Sequence, residues 1–267
     1  MAGEAMVAAA LPEAETERVG ARRGHLRLVE PPAASGGVRP ELMAVLGHEL
    51  RAPLAVLRAT VELLGGEPEA DGITTGDLVQ RLARSVGWLE GLVENMTLWA
   101  MLEDGQMALR TRPVALEAIV QDAVALVMPL LERKGQRVRV SCVGAGPVVA
   151  ADRQRLGRAI VNLLANAGTY GPVGQEIVVA VAAGAGWAEV RVIDQGPGIA
   201  PRERERIWSR YTRGRVAREE GAPGMGLGLH IVREMARLHG GEVGVDDGPS
   251  GGAAFWIRLP TAEPDAL

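Results

Sequence analysis

Leu42, Leu46, Leu50, Leu54, Leu57, Val61 and Leu64 recur at intervals of three and four. That period predicts an amphipathic helix. It opens near Pro40, a favourable first-turn residue, and ends at Gly65-Gly66-Glu67-Pro68. A polar loop reaches to about Gly76. A second helix, from about Asp77 to Glu103, carries Leu78, Leu82, Leu89, Val93 and Met96 as its stripe. Two amphipathic helices on a short connection make an antiparallel hairpin. One apolar face needs a second layer, and a two-fold copy of the chain supplies it as a four-helix bundle. Trp88 and Trp99 fall on this hairpin, at the interface or at its rim.

After Glu103-Asp104-Gly105 the period changes. A helix is expected over roughly Pro113 to Arg133. Val138, Val140 and Cys142 then alternate with Arg and Ser as a half-buried strand. Asp152 is a good N-cap for a helix from Arg153 to Ala167. Glu176 to Ala183 and Trp187 to Ile193 read as strands joined by Gly184-Ala185-Gly186. A helix follows from about Leu227 to His239, then strands Glu242 to Val245 and Ala253 to Leu259. The expected fold is α+β: a hairpin over 39–106, then an α/β sandwich with a mostly antiparallel sheet over 107–267.

Composition narrows the picture. Apolar residues are 47% of 267 and aromatics only 3%, so the core rests on Leu, Val, Ile and Ala. A net charge of −4 carries no basic excess, which argues against a nucleic-acid partner. The single Cys142 excludes an internal disulfide framework and a cysteine-based zinc site. No apolar run approaches the roughly 18 to 20 residues that span a bilayer. The stretch from Met6 to Leu11 is too short for a secretory signal and follows Glu4 rather than a basic region. A soluble, cytoplasmic protein without a transmembrane segment is expected. Residues 1–38 are biased towards Ala, Glu, Arg, Gly and Pro, too short for a sensory core, and Glu30 to Gly37 reads as a flexible linker.

Four places carry chemistry. His48 stands beside Glu49, about 200° around the helix from Leu46 and Leu50. Its face holds Ala44, Arg51, Ala52 and Ala55, which leave room for another protein surface, and Pro53 is expected to kink the helix just beyond it. Taken alone it is an ordinary exposed histidine. Asn162 and Asn166, four apart, point both amides to one side of a helix. They serve either as magnesium ligands or as exposed polar positions. Asp194-Gln195-Gly196-Pro197-Gly198 follows a strand; its carboxylate suits an exocyclic amine and its glycines admit a flat ligand, although the motif is equally a turn. Gly224-Met225-Gly226-Leu227-Gly228 opens a helix whose backbone amides suit phosphate. It is neither a dinucleotide fingerprint nor a P-loop. The long stretch before it, Pro201 to Pro223, holds seven arginines, as an arginine-bearing lid would.

In this order the motifs resemble those of a two-component sensor histidine kinase, over about residues 40 to 260. His48 to Leu54 resembles the H box, Asn162 to Ala167 the N box, Asp194 to Gly198 the G1 box, Ile207 to Arg213 the F box, and Gly224 to Leu229 the G2 box. The resemblance implies a phosphotransfer hairpin and a Bergerat-type ATP-binding domain. His48 would be the phosphoacceptor and Glu49 its general base. Asn166 would hold Mg2+, with Asn162 and Tyr170 beside it. Asp194, Gly196 and Gly198 would bind adenine. Gly224, Gly226, Leu227, Gly228 and Leu229 would shape the phosphate site, and Arg210 or Arg213 would meet the transferring phosphoryl. The partners implied are a response regulator receiver domain, a second copy of the chain, and a sensory input from the linker, the dimer interface or a separate protein.

Two positions depart from the family. Ala52 replaces the Thr or Asn usual four residues after the histidine, which implies weak phosphatase activity by that route. Thr169 stands where a Lys commonly precedes Tyr170. The rival readings are a docking scaffold with a degenerate ATP domain, and an ATPase or serine kinase sharing the ATP site. A histidine inside a dimerising hairpin speaks against both. A zinc peptidase fails because position 52 is Ala rather than a second His.

Overall fold

The computed structural model describes residues 40–65, 74–105, 107–143, 146–212, 214–215, 224–249 and 251–262. The expected linker over 1–38, the middle of the hairpin loop and Arg213 lie outside the described residues, as do the side chains of Leu42, Ala44 and His48 within their helix.

The hairpin consists of α1 (Pro40–Leu64) and α2 (Thr75–Glu103). α1 runs through Pro53 as one helix. α2 starts two residues earlier than its apolar period suggests. Thr74 caps it: Thr74 Oγ1 accepts from Asp77 N at 3.1 Å, and Asp77 Oδ2 accepts from Thr74 N at 3.0 Å.

The expected stripes are split. Leu46 is buried, and Leu50 and Leu57 are half-buried, but Leu54 is 52% and Val61 58% exposed. On α2, Leu78, Ser85 and Leu92 repeat every seven residues and are buried, as is Leu98. Val93, expected in the stripe, is 57% exposed and belongs with Val79 and Val86 to a second seven-residue repeat. The hairpin thus has two apolar seams, one closed within the chain and one that this chain leaves open.

The rest is a two-layer sandwich. β1 (Arg112–Ala115) precedes α3 (Leu116–Glu132). Pro113 therefore starts no helix. It pairs with Ala150 in an antiparallel ribbon with β3 (Val148–Ala151), a position an edge strand tolerates. β2 (Arg137–Val143), α4 (Arg153–Tyr170), β4 (Glu176–Gly184), β5 (Trp187–Ile193), α5 (Gly228–Leu238), β6 (Glu242–Asp247) and β7 (Ala253–Pro260) complete it. The sheet order is β2-β4-β5-β7-β6; only β2 and β4 run parallel.

Alternation on β5 assigns the two faces. Ala188, Val190 and Val192 pack into the core under α3, α4 and α5. Glu189 and Arg191 take the other face, both buried. There Glu189 accepts from Arg191 Nε at 2.9 Å and from Arg258 Nη2 at 2.9 Å. A buried carboxylate held by two guanidiniums is paired as burial requires.

Candidate functional site

α4 buries Leu156, Ala159, Ile160, Leu163, Leu164 and Ala167 against the sheet. The three-and-four spacing of that face leaves Asn162 and Asn166 on the opposite side, where both line a cavity of about 870 Å³. Asp152 caps the helix by accepting from Arg155 N at 3.2 Å. The helix runs past the expected Ala167 to Tyr170, so Thr169 and Tyr170 also reach the cavity wall. Lys134, the only lysine, explains the extra turn: its Nζ donates to the carbonyls of Gly168 at 2.8 Å and Thr169 at 3.0 Å, at the negative end of the helix dipole.

Asp194 sits where β5 ends. Its Oδ1 accepts from Gly196 N at 2.8 Å and Ala253 N at 3.0 Å. Among the described residues Oδ2 carries no such bond. The residue is 6% exposed and lines the cavity. Burial pushes its carboxyl above the usual carboxylate value of 3.8, against the pull of the two N–H donors. Backbone crowds this turn: Gly198 has φ 67°, and a Cβ there would stand 2.8 Å from Gly251 O. Gln175, buried and without any motif to announce it, ties two pieces together. It donates to Ala167 O of α4 at 2.7 Å and accepts from Gln195 N at 2.9 Å.

The described part of the arginine-rich segment contains two short 3-10 turns, Pro201–Glu203 and Arg206–Trp208. Trp208 is buried edge-on against Phe255, centroids 5.9 Å apart, and Phe255 also lines the cavity. Arg210 does not line it. Its guanidinium ion-pairs with Glu103 at the end of α2. Gly226 (φ 67°) lies against the backbone of Thr212, where a Cβ would come within 2.8 Å of Thr212 N. Gly224, Gly226, Leu227, Gly228 and Leu229 all line the cavity, and Gly228 opens α5 beside Asn162.

The cavity does not end at the sandwich. Trp88, Gly91, Glu94, Asn95 and Leu98 of α2 form its other wall. Asn162 Nδ2 donates to Asn95 Oδ1 at 3.3 Å, and Arg158 ion-pairs with Glu94. Trp88 and Trp99 pack on this same apolar cluster. Glu49, 7% exposed, accepts from Gly224 N at 2.7 Å through Oε2. Its neighbours Arg51, Ala52 and Ala55 are exposed, as the helical spacing predicts. The structure therefore gathers Asn162, Asn166, Tyr170, Asp194, Gly198 and the glycine cluster in one cavity and sets Glu49 at its edge. Glu94, Asn95, Gln175 and the Ala253 amide were not found from sequence. They act by position, and none stands in a motif.

The amide oxygens of Asn162 and Asn166 are hard donors, and among the described residues Asn166 spends its side chain on no protein hydrogen bond. Such a pair suits a magnesium ion completed by phosphate oxygens and water. Among the described residues no group of three or more His, Cys, Asp or Glu could hold a metal.

Residues 39–105 match the family described as His Kinase A (phospho-acceptor) domain, and residues 151–263 the family described as histidine kinase-, DNA gyrase B- and HSP90-like ATPase. The chain is 30% identical over 223 residues to Sensor protein KdpD of Escherichia coli K12, across 84% of this chain and 24% of that protein. It is 33% identical over 221 residues to Sensor protein IrlS of Burkholderia pseudomallei, across 80% and 46% respectively. The chain thus spans 24% and 46% of the length of these two curated relatives. Among solved structures, a mycobacterial sensor histidine kinase MprB chain shares 33% identity with a TM-score of 0.50, covering 57% of this chain and 97% of that one. Full-length ShkA in complex with AMPPNP shares 28% with a TM-score of 0.59, covering 84% and 46%. Among the described residues no helix is long and apolar enough to cross a membrane.

Proposed function

Because the chain belongs to the two-component sensor histidine kinases, we propose that it is an ATP-dependent protein-histidine kinase that phosphorylates His48 and passes the phosphoryl group to an aspartate of a response regulator receiver domain. The observation that carries this reading is the single cavity holding Asn162 and Asn166, the buried Asp194 and the glycine cluster at the start of α5. Asp194 Oδ2 accepts from the adenine amine while its Oδ1 stays anchored to the backbone. Backbone amides from Gly226 to Leu229 receive phosphate oxygens at the positive end of α5. Asn166, with Asn162 beside it, holds Mg2+, which screens phosphate charge when bound.

Chemically, a neutral imidazole nitrogen of His48 attacks the γ-phosphorus and ADP leaves; Glu49 takes the proton from the other ring nitrogen. Two copies of residues 39–106 close the open seam of the hairpin as a four-helix bundle, and 107–267 form the catalytic unit. The ATP requirement places both on the cytoplasmic side of any membrane. The signal reaches the hairpin through the linker, the dimer interface or a separate sensory protein.

The test is incubation of the full chain with γ-labelled ATP and magnesium, beside His48→Gln. Acid-labile, base-stable label that vanishes in the variant is expected. Label that persists in the variant moves the acceptor elsewhere. Nucleotide binding without label in either protein favours a docking scaffold.

A further inference from the structure

Gln175 stands just before β4 and is 3% exposed, yet it does not line the cavity. Both ends of its amide are engaged. Nε2 donates to Ala167 O of α4 at 2.7 Å, and Oε1 accepts at 2.9 Å from the N–H of Gln195, the residue after Asp194. Room for this amide comes from Gly171, which ends α4: a Cβ there would run into the Gln175 side chain. The Gly171 backbone, with φ −80° and ψ 156°, is one that any residue adopts. What excludes a Cβ at that position is therefore the neighbouring amide.

The two ends of this tie are not equally free. The end of α4 is held by Lys134 and also by Gln136, whose Nε2 donates to the carbonyls of Gly168 at 3.2 Å, Gly171 at 3.3 Å and Pro172 at 3.0 Å. The turn after β5 is anchored to β7 on one side only: Asp194 N donates to Ala253 O at 2.9 Å, and Ala253 N donates to Asp194 Oδ1 at 3.0 Å. Gln175 supplies the anchor on the α4 side. Gly196 completes the contact there, since a Cβ on it would stand 3.0 Å from Tyr170 O. The Asp194 carboxylate is thereby fixed relative to Asn162, Asn166 and Tyr170, which line the cavity from α4.

We infer that Gln175 is a positioning residue for base recognition: it aims the Asp194 carboxylate and so sets the preference for adenine over guanine, an inference that rests on the nucleotide reading above. Adenine presents an amine donor where guanine presents a carbonyl oxygen. A carboxylate held in one place accepts from the first and repels the second, and a polar site fixed in this way discriminates strongly. On a turn anchored from one side only, the carboxylate swings, loses part of its bond to adenine and escapes part of its repulsion of guanine. The phosphate end, formed by the glycine cluster at the start of α5, shares no hydrogen bond with Gln175 among the described residues.

The experiment is calorimetry on the full chain with ADP, GDP and inorganic tripolyphosphate, each with magnesium. Gln175→Ala should bind ADP roughly tenfold more weakly, part of what a hydrogen bond to a charged group is worth. Its preference for ADP over GDP should narrow. Its affinity for tripolyphosphate should stay within about twofold of wild type, as for a site that acts independently. Gln175→Met, which keeps the bulk and neither bond, must show the same narrowing even where Gln175→Ala does not fold. Gly171→Ala pushes the amide off both partners from a different position and should reproduce the pattern. In the double variant Gly171→Ala, Gln175→Ala no side chain remains to be displaced, so the loss should equal that of Gln175→Ala alone. Weakening of all three probes by one factor marks a merely structural role and overturns the inference. A Gly171→Ala loss of the same size with and without the Gln175 side chain overturns it too. A wild-type chain that binds no ADP removes the nucleotide reading and the inference together. A wild-type chain that binds ADP, beside variants that keep its preference over GDP, removes the inference alone.

Discussion

The two halves of this molecule solve the burial problem differently. From β1 onward each element finds its partner inside the chain. Leu116, Ile119, Leu131, Leu156, Ile160, Leu163, Leu164, Ile177, Ile231 and Met235 are all fully buried, and the opposite face of the sheet is closed by Glu189 with Arg191 and Arg258. The hairpin closes only half of itself. Leu78, Ser85 and Leu92 face inward, while Val79, Val86 and Val93, one residue along, face out with Leu54 and Val61. A unit that buries both of its faces holds its share of the pocket wall rigidly, while α2 supplies the other wall. A unit with an open seam takes part of its stability from whatever closes it.

The sharpest way to break this contrast is to charge the open seam. A Leu54→Asp, Val61→Asp double variant loses two apolar burials, each worth about 1.5 to 3 kcal/mol. In the four-helix bundle proposed above, dimer association should weaken by roughly 3 to 6 kcal/mol in sedimentation equilibrium, with the melting of the sandwich unchanged. An undisturbed dimer would mean that the second copy binds elsewhere. The complementary change is inside the sandwich. Leu163→Ala leaves a cavity under the sheet and should cost about 2 to 5 kcal/mol in urea unfolding. Loss of helical signal from the hairpin at the same denaturant concentration would show that the packed face of α2 couples the two units into one cooperative block.

Much of this was legible beforehand, because it rests on period and on turn chemistry. The hairpin, the N-cap Asp152, the glycine turns and strand β5 stand where the apolar alternation and breakers placed them. What escaped depended on tertiary pairing. β1 and β3 are four residues each, and Pro113 suits a helix start and an edge strand equally until Ala150 appears opposite it. The open seam was misassigned in part because Val79, Val86 and Val93 have the same period as the buried set; only the angle between the helices decides which stripe faces inward. Asn95 and Gln175 lie in no motif. Their importance comes from reaching Asn162 and Gln195 from a different element. Arg210 shows the converse, a residue picked out by its segment that the fold commits to Glu103.

A smaller effect separates pocket from scaffold. Asp194→Asn keeps the Oδ1 acceptor for Gly196 and Ala253, so the turn should stand, but it removes the charge from the cleft. Hydrogen bonds to charged groups are worth about 1.5 to 3 kcal/mol. Nucleotide affinity, measured by calorimetry, should therefore fall roughly tenfold to a hundredfold, with both melting transitions within about 0.5 kcal/mol of wild type, as for an isosteric change that keeps its bonds. A variant that unfolds the sandwich would make Asp194 a structural residue first and a ligand second.

The smallest effect concerns His230 on α5, buried where the arginine-rich segment folds back. Burial holds its protonation below the ordinary value of 6.5, and the positive charges of Arg210 and Arg233 act in the same direction. Glu234 and a hydrogen bond with the Trp208 backbone oppose them. With the folded value below the unfolded one, the unfolded chain binds more protons as pH falls below 6.5. The stability contribution is complete above that pH and is lost on acidification, at no more than about 1.4 kcal/mol per pH unit for one proton. Asp194 has the opposite sign, its folded value being raised, but it is present in wild type and variant alike and cancels in their difference. Urea midpoints of the sandwich between pH 7.5 and 5.5 should therefore fall more steeply for wild type than for His230→Gln. The hairpin transition should keep the same slope in both, because this titrating group belongs to the half of the molecule that closes on itself. Parallel profiles for the two proteins would place the proton elsewhere and remove His230 from the account.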